Sequence, residues 1–347
     1  MRILLAVSGG IDSMYLLHRA PELFPGASFA VAHCNFALRG KDSDDDEDFV
    51  RSACADLGIE CFVKRFDTLA FAALQGISVE MAARELRYAW FSELCDTEGF
   101  DSLATAHNAN DNAETLILNL LRGTGSKGLR GINSSKPFGT TIPLHPQGTE
   151  GVSPDLLCVG PKGLLSATGQ SAAASNRRLE VYRPLLGISR EEIRKWMMTN
   201  GFKWQEDKTN AENGPKRNKI RNQVFPVFKE INPSFVKTLC ADMERFRQTD
   251  DIAEDYFREA SERIVRQNGP ATEINVPCLL ALKHWRYVLW RILEGFSFSA
   301  ATFDKLCTLL DRYRSEPSGT VTLSGKTFQS PTAILRARKK TLILIPR

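Results

Sequence analysis

Short apolar runs alternate with amphipathic stretches through the first third of the chain. Near-continuous apolar runs at residues 3–7, 29–34, 61–66 and 102–106 predict buried strands. Helical spacing of apolar positions at 13–19, 45–57, 79–96 and 110–121 predicts helices between and after them. This alternation predicts an α/β fold with a doubly wound, mostly parallel sheet covered on both faces. From 143 to 178 the pattern dissolves into Gly, Ser, Pro and Ala, which predicts an exposed, flexible insertion over 145–178. Order returns at Val181-Tyr182-Arg183-Pro184-Leu185-Leu186. A helix is expected over 189–200, with Ser189 as N-cap, Glu192 three residues on and Gly201 as stop. Residues 224–267 read as a mainly helical linker, followed by helical patterns at 278–294 and 299–314. The tail reads as strands at 320–323, 333–338 and 341–345, with Lys339-Lys340 as a hairpin turn. The expected division is a catalytic domain over 1–223 and a helical and β accessory region over 224–347.

In open α/β sheets, ligands sit outside the carboxyl ends of the strands. Conspicuous polar segments follow three such ends, at 8–13, 33–39 and 107–114. The first, Ser8-Gly9-Gly10-Ile11-Asp12-Ser13, turns on two glycines straight into a helix. Its backbone N–H groups and the positive end of the helix dipole make a phosphate cradle. The Gly-Lys-Ser/Thr ending of the common nucleotide loop is missing.

The third segment carries Asp111 and Glu114, three residues apart at a helix start. Acidic residues suit a first helical turn for dipole reasons alone. Beside phosphates they also suit Mg²⁺, or the handling of an amine nucleophile. Ala113, Leu116, Ile117, Leu120 and Leu121 are expected to form the buried face of that helix. Arg84 and Arg87, one turn apart, are either a solvated face paired with Glu80 or a clamp on phosphate. His33 is either a structural histidine or part of the nucleotide site. The acidic run at 42–48 reads as a charged helix start with Ser43 as cap. Lys216, Arg217, Lys219 and Arg221, with Trp204 upstream, are either a solvated basic loop or a surface that contacts RNA phosphate and stacks a base.

Composition narrows the classes. The chain has 347 residues, enough for two domains, and a formal net charge of +4, which allows an RNA partner without demanding one. Its eight cysteines include no Cys-x-x-Cys pair, so neither a zinc ribbon nor a dithiol redox centre is expected. Scattered thiols fit a reducing cytoplasm, and no apolar stretch is long enough for a membrane span.

The loop at 8–13 resembles the pyrophosphate loop of the N-type ATP pyrophosphatases, Ser-Gly-Gly-x-Asp-Ser. The wider set of motifs resembles the bacterial tRNA(Ile)-lysidine synthetases. It comprises His33-x-Asn35-x-x-Leu38-Arg39, Glu80-x-x-Ala83-Arg84-x-x-Arg87-Tyr88, Ala104-Thr105-Ala106-His107 and Asp111-x-x-Glu114-Thr115. It continues through Leu121-Arg122-Gly123-Thr124-Gly125, Gly128-Leu129-x-Gly131-Ile132, Arg183-Pro184-Leu185-Leu186, Glu206-Asp207-x-Thr209-Asn210 and Arg217-Asn218-x-Ile220-Arg221. Phe36 and Asn110 depart from the family pattern, which often has histidine and aspartate there.

The resemblance implies an adenine nucleotide α-hydrolase-like fold and a ligase forming a carbon–nitrogen bond. ATP would adenylate the wobble cytidine of a tRNA(Ile) bearing a CAU anticodon, and free L-lysine would then displace AMP to give lysidine. It implies ATP contacts from Ser8, Gly9, Gly10, Ile11, Asp12, Ser13 and His33. Catalytic roles would fall to Asp12, Arg84, Asp111 and Glu114, with Mg²⁺ on Asp111 and Glu114. Contacts to tRNA would come from Arg87, Arg122, Lys216, Arg217 and Arg221. A cytoplasmic location is expected, and a homodimer is left open. The competing expectations are a tRNA thiolase of the same superfamily, which usually needs paired cysteines, and a small-molecule ATP-dependent ligase.

Overall fold

The computed structural model describes residues 1–138, 179–206, 216–315 and 322–347. The expected insertion at 145–178, the motif residues at 207–210 and the first half of the strand expected at 320–323 lie outside the described residues. Thr322 and Leu323 belong to no strand.

Two compact units divide between Arg247 and Gln248. The first holds a six-stranded sheet of β1 (Arg2–Ala6), β2 (Ser28–Asn35), β3 (Glu60–Arg65), β4 (Ser102–Ala104), β5 (Ser135–Phe138) and β6 (Leu179–Tyr182). The strand order is β3-β2-β1-β4-β6-β5, parallel throughout except for the β5–β6 pair. Its helices are α1 (Ile11–Leu23), α2 (Lys41–Leu57), α3 (Thr68–Gln75), α4 (Val79–Glu98), α5 (Ala109–Arg122), α6 (Ser126–Leu129) and α7 (Arg190–Thr199). Two apolar layers enclose the sheet. One gathers Leu5, Met14, Leu16, Val50 and Ile193; the other gathers Leu4, Tyr88, Phe91, Phe100 and Leu103. The chain leaves β1 for β2 on one side and later returns to place β4 on the other. The crevice for a ligand therefore opens beyond the ends of β1 and β4.

After α7 come α8 (Lys216–Lys219), a π-helical turn (Ile220–Val224), α9 (Phe225–Ile231) and α10 (Phe235–Ile264). Phe225, Phe235 and Ile220 pack on Ala113 and Leu118 of α5. That packing ties residues 224–247 to the first unit, so the observed division falls inside α10 and beyond the expected 223/224 boundary.

The second unit has a five-stranded antiparallel sheet, ordered β7-β8-β11-β10-β9. Its strands are β7 (Val265–Asn268), β8 (Ala271–Asn275), β9 (Thr327–Gln329), β10 (Ala333–Arg338) and β11 (Thr341–Pro346). Helices α11 (Val276–Leu280), α12 (Trp285–Leu293) and α13 (Ala300–Ser315) share its core through Leu279, Leu289, Leu310, Leu335 and Leu344. The expected linker helix stops at Ile264, where Asn268-Gly269-Pro270 turns a hairpin instead. Lys339 and Lys340 form the turn of the β10–β11 hairpin, as their position between the two apolar runs predicts.

Candidate functional site

The loop after β1 is held open by its own side chains. Ser13 Oγ donates to the Gly10 carbonyl at 2.8 Å and accepts from Ser8 N at 3.1 Å. Gly9 has φ +91°, and a Cβ there would stand 3.4 Å from Val50 Cγ2 on α2, so this position favours glycine. No side chain caps α1 at Gly10, which leaves the first-turn amides to a ligand. The loop is latched from outside: Gln205 N donates to the Gly9 carbonyl at 2.9 Å, forming a parallel bridge between Gly10 and Gln205.

Beneath the loop lies His33. It is buried, and its Nδ1 is 2.9 Å from the Val7 carbonyl. Burial holds its pKa below the ordinary histidine value. Its ring braces the strand end and is absent from the cavity wall, so the expected nucleotide contact is corrected to a supporting one.

The loop forms one wall of a cavity of about 880 Å³. Ser8, Gly10, Ile11, Asp12 and Ser13 line it from the loop side. Phe36, Arg87 and Tyr88 line another side, and Asp111, Arg217 and Arg221 a third. The volume is in the range of small-molecule sites. Thr105 and His107 of the Ala104–His107 motif also line the cavity, as do Arg190 and Arg194, which no sequence motif marks. Arg190 opens α7 directly after the expected Ser189 cap, and its N–H donates to Asn110 Oδ1 at 3.0 Å. That contact gives Asn110 a structural task in place of a carboxylate's.

Asp12 is the most unusual group present. Burial raises its pKa above the carboxylate norm; Arg190 opposes this and the neighbouring Asp111 adds to it. Its Oδ1 is buried without a hydrogen-bond partner. A carboxylate turned into an anion cradle is stabilised by a cation between it and the ligand. Asp111 shares the site, but its Oδ2 accepts from Asn108 N at 3.0 Å in a reciprocal cap of α5.

Glu114 is fully buried and committed elsewhere: Arg221 donates Nε to Oε1 at 2.7 Å and Nη2 to Oε2 at 3.1 Å. Burial pushes this carboxyl up and the guanidinium pulls it back. The expected Mg²⁺ pair of Asp111 and Glu114 is therefore corrected. No cluster of three or more His, Cys, Asp or Glu side chains forms a metal cage among the described residues. Mg²⁺ needs only one or two carboxylates when phosphates supply further oxygens, and Asp12 with Asp111 fits that demand.

Other expected contacts fall away from the cavity. Arg84 lies over the Tyr88 ring at 5.1 Å and is absent from the cavity wall, which Arg87 reaches while lying over Phe36 at 5.1 Å. Arg122 and Lys216 are exposed and outside it. On α5, Leu118 is buried, whereas Leu120 and Leu121 are 52% and 76% exposed, against expectation. The acidic start of α2 is more than a solvated face. Asn35 Nδ2 donates to Asp44 and Glu47, and Ser43 accepts from Arg39 N, while the cap position is Gly40.

A loop-cradled anion site at the switch point of a parallel sheet defines a nucleotide-utilising α/β protein. Residues 1–146 and 157–228 match the family model of the PP-loop domain. The chain is 33% identical over 333 residues to tRNA(Ile)-lysidine synthase of Chlorobaculum tepidum, covering 91% of this chain and 86% of that protein. It is 29% identical over 347 residues to the same enzyme of Parabacteroides distasonis, covering 99% of this chain and 68% of that one. The chain belongs to the tRNA(Ile)-lysidine synthase family of PP-loop proteins.

Among solved structures, the U34-tRNA thiolase NcsA from Methanococcus maripaludis, with its [4Fe-4S] cluster, has a TM-score of 0.50 at 15% identity. It covers 71% of this chain and 72% of that one, a likeness of fold. Cys34 is the one cysteine lining the cavity here among the described residues, and burial pushes its thiol up to about 12, which keeps it neutral and unreactive near pH 7. No helix among the described residues is long and apolar enough to cross a membrane.

Proposed function

We propose that this chain makes lysidine by two steps in the one cavity. The C2 oxygen of the wobble cytidine of a CAU-anticodon tRNA(Ile) attacks the α-phosphorus of ATP, and pyrophosphate leaves. The ε-amine of free L-lysine then attacks C2, loses a proton, and AMP departs with the oxygen. The first step turns a poor leaving group into a good one, which the second step uses. The cytidine must be turned out of the anticodon loop to reach the cavity, as single-stranded RNA recognition allows.

The observation that carries this reading is the convergence of an uncapped helix start, five arginines and the carboxylates of Asp12 and Asp111 on one cavity beyond β1 and β4. The amides at 8–13 hold the leaving pyrophosphate. Arg217 and Arg221 offset charge developing on the phosphoryl oxygens. Asp12 and Asp111 would hold Mg²⁺, which neutralises phosphate charge when bound. Arg87 and Tyr88 offer a cation and a ring to the base. In the C-terminal unit the exposed Arg336, Arg338, Lys339 and Lys340 of the β10–β11 hairpin supply cations for the tRNA backbone. ATP, tRNA and free lysine meet in the cytoplasm, where we place the reaction.

The test is a pyrophosphate-release assay with ATP, Mg²⁺, labelled lysine and purified tRNAs. Label should enter CAU-anticodon tRNA(Ile) and not tRNA(Met). Incorporation that ignores the wobble cytidine refutes the reading.

A further inference from the structure

Helix α5 presents Asp111, Glu114 and Thr115 at i, i+3 and i+4, which places them on one stripe of its surface. Two arginines one turn apart on the neighbouring segment meet that stripe. Arg221 is gripped side-on by both oxygens of Glu114, with Asp111 Oδ1 3.5 Å from its Nη2. Arg217 donates Nη2 to Thr115 Oγ1 at 2.7 Å, and that hydroxyl in turn donates to the Asp111 carbonyl at 2.9 Å. Both arginines reach the cavity wall. Glu114 does not: it has no exposed surface.

A buried carboxylate is strongly disfavoured by desolvation unless a cation and hydrogen bonds compensate it. Here the compensation comes from the residue that faces the ligand. The carboxylate fixes two of the guanidinium's nitrogens, which removes the rotamer freedom of a long side chain before substrate arrives. Arg221 itself lies in the π-helical turn at Ile220–Val224, and such turns recur at functional sites.

We propose that Glu114 and Thr115 are positioning residues that hold Arg221 and Arg217 as a paired guanidinium clamp, and that this clamp receives the phosphoryl oxygens of ATP. The proposal rests on the reading of the cavity as the ATP site. It assigns Glu114 neither to metal nor to the lysine amine. Glu114 acts through Arg221 alone, so its effect vanishes once Arg221 is gone.

The experiment is a double-mutant cycle on pyrophosphate release, with tRNA(Ile), lysine and ATP varied in turn. E114Q keeps the volume and removes the charge. It should lower kcat/KM for ATP by about 10²-fold, leaving the KM for lysine and the Mg²⁺ midpoint within about twofold. R221A should lose at least as much, and E114Q in the R221A background should lose no more than R221A alone. Millimolar guanidinium should restore part of the R221A activity and none in the double variant. T115V with R217A forms an independent cycle of the same design, which decides the matter if E114Q fails to fold by thermal melting.

Multiplying losses, a shifted Mg²⁺ midpoint or a raised lysine KM in E114Q overturns the clamp while leaving the ATP site standing. If the wild-type enzyme releases no pyrophosphate from ATP in the presence of tRNA(Ile) and lysine, the parent reading falls and the clamp with it.

Discussion

The two walls of the cavity reach the same electrostatic end by opposite routes. The loop wall is local: six consecutive lining or supporting residues, among them a glycine with positive φ and a serine that bonds back across its own turn. It uses backbone amides, whose direction is set by the strand–turn–helix path. The arginine wall is assembled from residues more than a hundred positions apart, Glu114 with Arg221 and Thr115 with Arg217. It uses long side chains, which must be fixed by partners before they act as preorganised charge. Local walls tolerate little change of backbone; assembled walls tolerate little change of partner.

The largest effect is expected at Asp12, where the walls meet. Asp12→Asn should reduce lysidine formation by about 10³-fold, the scale of losing a preorganised electrostatic group. Its folded pKa is raised, because burial costs the charged form more than the neutral form. The stability tied to that form is complete below the unfolded value and declines as pH rises through the folded one. The asparagine variant escapes this loss. In chemical denaturation at neutral pH it should be more stable than the wild type by ~1 kcal/mol, and the gap should close as pH falls toward the unfolded value. A variant that is inactive and less stable at neutral pH contradicts the assignment.

Gly9→Ala tests the local wall alone. The positive φ costs a side chain about 1–2 kcal/mol, and the new methyl meets Val50. The ATP KM should rise roughly tenfold, with the lysine KM unmoved; equal rises in both would show that the loop does not act on ATP selectively.

Ser13→Ala removes one hydroxyl and three hydrogen bonds inside the turn, to Ser8 N, Ser8 Oγ and the Gly10 carbonyl. A destabilisation of about 1–2 kcal/mol by denaturant midpoint is expected, together with a smaller rise in ATP KM than Gly9→Ala gives.

The smallest effect belongs to Cys34. Its neutral thiol lies on the cavity wall without a role in the chemistry, so Cys34→Ser should keep turnover within about threefold. A loss beyond a hundredfold would point to sulfur chemistry.

How much of this was legible in the sequence follows the same division. The parallel sheet and the loop could be read because apolar runs, two glycines and a helix start are contiguous signals. Ser8, Gly10, Ile11, Asp12 and Ser13 all face the cavity, as that pattern implies. The burial of Glu114 and His33 could not be read, because burial is decided by what packs on a residue. His33 lies under the loop, and Glu114 lies under a helix that begins a hundred residues later. Arg84 and Arg87 are one turn apart, and spacing alone cannot say which of them points inward.

Helical spacing put Leu120 and Leu121 in the core. Yet the 14-residue α5 outruns the three-residue strand β4 it follows, and its last turn has little sheet to cover. The short strands β5, β8 and β9 carry too few alternations to show in the sequence, β7 lies mostly in a stretch whose pattern reads as helix, and α3 is hidden because Thr68 to Gln75 is nearly uniformly apolar and shows no polar face.

The most direct measurement is a crystal structure with a non-hydrolysable ATP analogue and Mg²⁺. The account predicts the β- and γ-phosphates within hydrogen-bonding distance of the amides at 10–13, and Arg217 and Arg221 within reach of phosphoryl oxygens across the cavity. Phosphates bound away from that loop, or an Arg221 turned from the nucleotide while still paired with Glu114, would contradict it.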